Sequence, residues 1–273
     1  MRASASRAVV YLLLALVAAV FLMPVYVMLA TSLKSLAAAQ ATSMWAPPAA
    51  LSLDAFRAAG AKMARGLLNS VALTIPATAI SCAVGSLNGY CLSKWKFRGS
   101  DFLFTLVLFG MFIPYQSILI PLVVFLQKVG LYDTIAGLVL VHVVYGVPIT
   151  TLIFRNYYAT VPTELIEAGR IDGAGLLSVY RHIFLPVSVP AFAVVAIWEF
   201  TNIWNEFLFA VTLIASPDRQ PVTVALQNLS GSMISQWNVQ MAGALVASAP
   251  TLLVYLLLGR YFVGGLMAGS VKG

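Results

Sequence analysis

VVYLLLALVAAVFLMPVYVMLA, residues 9–30, runs without a single charged residue. As a helix rising ~1.5 Å per residue, its 22 residues reach ~33 Å, enough to cross about 30 Å of hydrocarbon. Arg2 and Arg7 precede it, as basic residues precede a secretory signal. A cleavable signal, however, has an apolar core of only about 7–15 residues, so the run reads as a retained first membrane span. Five more apolar stretches follow at Asn69–Ser93, Phe102–Leu126, Thr134–Phe154, Pro186–Ile214 and Met241–Phe262. The expected fold is an all-α membrane protein, one bundle of six transmembrane helices over residues 1–273.

Composition agrees with that reading. The chain is 61% hydrophobic and 9% charged, against roughly 25% charged in a soluble domain. Sixteen basic and nine acidic side chains are too few to give such a core a polar shell, so lipid must cover the rest. The net charge of +7 does not indicate nucleic acid, because the basic residues are scattered between apolar runs rather than clustered on one face with aromatics. Cys82 and Cys91 lie in one apolar stretch and read as packing residues rather than a disulfide or metal framework. His142 and His182 lack HExxH-like spacing, so no metal site is expected.

An even number of spans puts both termini on one side. That side would carry Arg2, Arg7, Lys94, Lys96, Arg98, Arg155, Arg170, Arg181, Arg260 and Lys272; the other would carry Lys34, Arg57, Lys62, Arg65, Lys128 and Arg219. The positive-inside bias therefore places the termini in the cytoplasm. Pro24, Pro76, Pro114, Pro121, Pro148 and Pro250 fall within spans, predicting kinked helices, either as packing features or around an irregular interior. Ser81, Gly85 and Gly89 repeat every fourth residue on one face of the second span, a pattern that lets helices approach closely. The segment Ser35 to Leu68 reads as a loop with a short helix outside the membrane.

Between the fourth and fifth spans lies VPTELIEAGRIDGAGLLSVYRHIFLP, residues 161–186. Pro162, Glu164 and Glu167 suit a helix start, where the dipole favours negative charge. Gly173 and Gly175 permit a sharp turn. A second short helix would follow, with Leu176, Leu177, Tyr180, Ile183 and Phe184 on its apolar side, running to Pro186. Two short helices projecting from a bundle make a knob that a partner can grip.

This segment resembles the cytoplasmic coupling loop of type I ABC importer permeases, which reads Glu-Ala-Ala, then Gly, then Ile-x-Leu-Pro. Glu167, Ala168, Gly169, Gly173, Ile183, Leu185 and Pro186 match that spacing, with Gly169 where the family usually has Ala. The resemblance extends to the maltose-permease-like branch that imports carbohydrates, through GLYDTIAGLVL (130–140), IDGAG (171–175, with Asp172), WNEFLFA (204–210) and GLMAGSVKG (265–273). LNGYCLSKWKFRGS (87–100) and LVHVVYGVPITTLIFRNYY (140–158) look most like permeases of bacterial glucose or mannose importers.

The resemblance implies a permease subunit in the bacterial inner membrane, paired with a second homologous permease. Two ATPase subunits would dock on the cytoplasmic loops, and a periplasmic sugar-binding protein would deliver sugar. No cofactor is expected on this chain, since it has no GxxxxGK followed by Ser or Thr; ATP and Mg would belong to the partner ATPase. The chain itself is then not an enzyme.

The fifth span carries Trp198, Glu199, Asn202, Trp204, Asn205 and Glu206. An ionisable residue at membrane depth costs at least ~2.5–3.5 kcal/mol on insertion scales, so such residues face a cavity or a partner. Glu199, Asn202 and Glu206 share one face by helical spacing. With the aromatics they could contact a hexose, or hold two permeases together, or orient an outer gate. Two carboxylates on one span also raise a proton-coupled secondary transporter, and an embedded acid–base enzyme. Residues seven apart on a helix are ~10 Å apart, with no nucleophile–His pair beside them, which disfavours the enzyme.

Overall fold

The computed structural model describes residues 2–95, 97–230 and 236–268. Lys96, Lys272 and the rest of the tail motif after residue 268 lie outside the described residues. The described chain is helical: α1 (Arg2–Ser32), α2 (Leu36–Ala41), α3 (Asp54–Lys94), α4 (Ser100–Phe109), α5 (Leu119–Lys128), α6 (Ile135–Ala159), α7 (Glu164–Ile171), α8 (Leu176–Val179), α9 (Leu185–Val187), α10 (Val189–Asn205), α11 (Leu208–Leu213), α12 (Val222–Leu229) and α13 (Trp237–Ala268).

Four helices are long and apolar enough to cross a membrane, and two bent pairs raise the number to six. The third expected span is one of these pairs, Ser100–Phe112 and Tyr115–Lys128, bent by 87°. Pro114 sits in the break with extended ψ, as expected where a ring removes a backbone donor. The other pair bends by 77° between Val187 and Val189. Pro24, Pro76, Pro148 and Pro250 instead lie inside helices that continue through them. The segment after Ser35 is less of a loop than expected, because α3 begins at Asp54 and already includes Leu68.

Packing divides the chain into two compact units, Met1–Ala64 with Ala225–Ala249, and Arg65–Val224 with Pro250–Gly273. In the first, α1 exposes its apolar side chains from Val9 to Tyr26, as a helix facing lipid does, and buries Ala30, Thr31 and Ser32 at its end. Lys34 is buried, its ammonium donating to Thr42 Oγ1 (3.1 Å) and the Ser43 carbonyl (2.8 Å). Asn238 Nδ2 donates to the Lys34 carbonyl at 3.1 Å. Gly243 lies so close to Leu229 and Met63 that a Cβ would stand 2.8 and 2.9 Å from their side chains.

In the second unit, α3 packs closely against α6 at Gly85 and Gly89. A Cβ on Gly85 would collide with Thr150, and one on Gly89 would stand 2.7 Å from the Arg155 nitrogen. The four-residue repeat read from Ser81, Gly85 and Gly89 thus marks a real helix contact. In lipid no hydrophobic force draws helices together, so close backbone approach and dispersion contribute much of the association. Two apolar clusters form. One joins Leu73, Leu126, Leu138, Ile203 and Leu213; the other joins Cys82, Tyr90, Phe154, Tyr158, Val179 and Phe184. Cys82 is buried in the second cluster and Cys91 packs against it, both as free thiols.

Candidate functional site

The fifth span does not run to Ile214 as one helix. It stops at Asn205, and Glu206 is extended, with φ −69° and ψ 131°. The Glu206 carboxylate accepts from Phe209 N at 2.9 and 3.0 Å and from Ala210 N at 3.3 Å, satisfying donors that the start of α11 leaves open. Thr223 Oγ1 donates to the Glu206 carbonyl at 2.9 Å, tying the break down from α12. The expected helical face of Glu199, Asn202 and Glu206 therefore ends at Asn202, because the extended ψ of Glu206 takes its side chain out of the helical register.

A cavity of ≈ 760 Å³ opens at this break. Of the six polar and aromatic residues singled out on the fifth span, Trp198, Glu199, Asn202, Asn205 and Glu206 line it, and Trp204 does not. Trp204 is buried and stacked on Phe200 with centroids 5.5 Å apart. Asn202 and Asn205 each donate back to their own helix, to the Trp198 and Thr201 carbonyls at 2.9 and 2.8 Å. Glu199 is 3% exposed. It lies against Gly146 of α6, where a Cβ would come within 2.7 Å of Glu199 Oε2 and 2.9 Å of Ser81 Oγ. Glycine at 146 is what leaves room for the carboxylate.

The opposite wall went unread in the sequence. Tyr115, His142, Tyr145 and Phe209 line the same cavity. Phe209 is their hub, with ring centroids 5.3 Å from Tyr115, 5.2 Å from Tyr145 and 5.7 Å from His142. His142 Nε2 lies 3.9 Å from Glu206 Oε2. The signal for His142 was present: an isolated polar ring in the middle of an apolar span is costly unless it faces a cavity or a partner.

The 161–186 segment folds as two short helices around a glycine turn. Helix α7 ends with Gly173 at φ 78°; Gly173 N donates to the Arg170 carbonyl at 3.0 Å and Ala174 N to the Gly169 carbonyl at 2.8 Å. That pair of bonds is a Schellman motif, which needs a left-handed residue at the position Gly173 occupies. Glu167, Ala168, Asp172, Gly173, Leu185 and Pro186 are exposed, whereas Gly169 is buried and Ile183 half-buried. Gly169 packs against Ile183 and Val179, each 3.3 Å from where its Cβ would be, so the usual Ala would be tight here. Leu177 departs from expectation: it is 65% exposed, and Ile171 is 85% exposed, so the knob presents apolar side chains outward.

Beneath the knob, hydroxyls from several helices meet. Ser86 bonds Tyr158 at 2.6 Å and Tyr180 at 2.8 Å, and Ser188 donates to the Phe184 carbonyl while its oxygen lies 2.8 Å from the Tyr158 hydroxyl. Tyr90 donates to the Leu176 carbonyl at 3.1 Å and Lys94 to the Val161 carbonyl at 2.6 Å. Displacement of the knob must therefore move α3 and α6 or break this network.

A bundle with broken spans, a cavity lined by carboxylates, amides and aromatics at one break, and a two-helix knob together point to a membrane transport component. Residues 79–266 match the family described as binding-protein-dependent transport system inner membrane component, and the chain belongs to that family. It is 34% identical over 269 residues to the xylose/arabinose import permease protein XacI of Haloferax volcanii, covering 90% of this chain and 87% of that one. It is 32% identical over 272 residues to the glucose import system permease protein GlcU of Saccharolobus solfataricus, covering 96% and 95%. The crystal structure of a bacterial ABC transporter that imports the acidic polysaccharide alginate has a chain of the same fold, with TM-score 0.84 at 21% identity over 96% of this chain and 98% of that one. The chain is thus a type I ABC importer permease, a membrane component that works with ATPase and substrate-binding partners.

Proposed function

We propose that this chain is the permease through which an ABC importer moves a neutral sugar, of monosaccharide size and of the glucose or mannose kind. The observation that carries this reading is the cavity, where carboxylates and amides from the broken fifth span face aromatics brought by other spans. Its volume falls within the roughly 300–1,000 Å³ typical of small-molecule sites. Amides and carboxylates bond hydroxyls, and aromatic faces cover the apolar faces of a sugar ring. The sugars named for XacI and GlcU point the same way. In this reading Trp198, Glu199, Asn202, Asn205 and Glu206 line the path or its gate.

The loop 161–186 is the docking site for one of two ATPase subunits, with both termini in the cytoplasm and a second homologous permease completing the path. Glu167 offers its carboxylate to donors of the ATPase, Ile171 and Leu177 fill an apolar cleft there, and the network at Tyr158 carries the motion into α3 and α6. ATP and Mg act on the partner, and a periplasmic binding protein supplies the sugar.

Two measurements test this. The cognate binding protein is titrated with D-glucose, D-mannose, D-xylose, maltose, amino acids and phosphate; tightest binding to amino acids or phosphate overturns the sugar assignment. Uptake into proteoliposomes is then measured with and without the ATPase subunits. Uptake that persists without them would favour a proton-coupled secondary transporter using Glu199 or Glu206.

A further inference from the structure

We propose that His142 and Glu206 together hold one hydroxyl group of the transported sugar, so that His142, on the fourth span, is a specificity-determining residue of the path. The inference rests on the sugar reading of the cavity. His142 is 6% exposed, it lines the cavity, and its Nε2 is buried without a hydrogen-bond partner. A buried ring nitrogen left unpaired loses its hydration with nothing in return, a cost that an occupant of the cavity would remove.

The spacing sets the kind of occupant. Nε2 and Glu206 Oε2 are 3.9 Å apart, too far for a direct hydrogen bond. An oxygen about 2.8 Å from both atoms would sit between them at an angle near 90°. In the Nε2–H tautomer the ring donates to that oxygen, and the oxygen's own proton goes to the carboxylate. An alcohol meets both demands with one atom. A phosphate or carboxylate oxygen has no proton to give and would meet Glu206 as a like charge, so the pair selects neutral polyols over anionic sugars.

Glu206 is already fixed by Phe209 N and Ala210 N, which orients its oxygen before a ligand arrives. Phe209 meets the His142 ring edge to face at 86° and holds it in turn. Both partners are thus preorganised, on different spans.

The test is a substrate–variant cycle in proteoliposomes containing the whole importer. Uptake of D-glucose, D-mannose and D-xylose is measured first, and the best of these is compared with its singly deoxygenated forms for the wild type, His142→Gln and His142→Leu. Binding-protein affinities, measured separately, correct each rate. One deoxy position should lower wild-type uptake about tenfold, the worth of one such hydrogen bond. The same deoxygenation should change uptake by His142→Leu less than twofold, with His142→Gln between them. Equal losses in the wild type and His142→Leu at every position overturn the pairing, as would a hydroxyl contact confined to the binding protein. Trp198→Ala and Asn202→Ala, run in parallel, separate the two claims. If they impair uptake while the cycle is additive, the path stands and the His142 assignment falls. If no sugar is transported, or if these variants transport normally in an intact complex, the sugar reading and this inference fall together.

Discussion

The two candidate functional regions of the larger unit are built in opposite ways. Under the knob, Ser86, Tyr158, Tyr180 and Ser188 satisfy one another, and Gly85 and Gly89 close the helices to contact. At the cavity His142 Nε2 on α6 has no partner, and the fifth span is interrupted at Glu206. In the proposed reading, one region transmits force and the other receives the sugar. A buried polar group that is fully paired rigidifies its surroundings, whereas one left unpaired is a place where something else belongs.

The contrast is broken most sharply at the knob. Gly173→Val puts a β-branched residue at φ 78°, where even ordinary side chains lose roughly 1–2 kcal/mol. It should leave the chain inserted and abolish uptake, and Glu167→Lys should do so by weakening ATPase docking. Gly173→Asn, which tolerates the left-handed region, should recover much of the activity. Co-purification of the ATPase and binding-protein-stimulated hydrolysis check both; normal docking, stimulation and uptake in the Gly173→Val and Glu167→Lys variants would remove the coupling role.

The helix contact comes next. Gly89→Val meets the Arg155 backbone and should cost ~1–3 kcal/mol or more by overpacking, read as a lower midpoint of thermal unfolding in detergent. A variant as stable as the wild type would show that α3 and α6 can separate at no cost.

At the cavity, Glu206→Ala should lose about 0.5–2 kcal/mol with the cap and also lower uptake. Glu206→Gln keeps an acceptor and should hold most of the stability. If both are equally stable, the break in the fifth span does not depend on the cap. Tyr158→Phe should cost a similar or smaller ~1 kcal/mol and weaken coupling between hydrolysis and uptake without altering which sugar is preferred; a changed sugar preference would erase the division between the two regions.

The smallest effect is expected at the loop between α5 and α6. Asp133, itself at φ 57°, accepts from Ser216 Oγ at 2.5 Å and from Ser216 N and Ala215 N at 2.9 Å each, beside Arg219. The Ser216 hydroxyl, then these amides and Arg219, hold its carboxyl below the usual range. A lowered folded value stabilises the fold above the unfolded value of about 3.9, and the contribution is lost as pH falls through the folded value. Unfolding midpoints should thus fall more steeply with acid in the wild type than in Asp133→Asn. Parallel pH profiles would show that the latch carries no linked proton.

Much of this was legible in the sequence. Apolar length and charge scarcity determined a helical membrane bundle, because hydrocarbon demands that every backbone group be paired within its own segment. The glycine repeat announced a close helix contact on one face of the second span, Pro114 was one of six prolines read as kinks, and Gly173 marked the turn of the knob, since each is a local effect of one residue's geometry. The fifth span's break was not legible: no proline or glycine lies between Asn205 and Leu208, and the interruption rests on a carboxylate finding the amides of the next helix. Nor could periodicity reveal that Trp204 turns inward while Leu177 faces out, or that His142, Tyr145 and Tyr115 join residues far along the chain around one cavity. Local sequence sets which segments can be helices; which side chains share a space depends on the packing of several helices at once, and that only the tertiary structure decided.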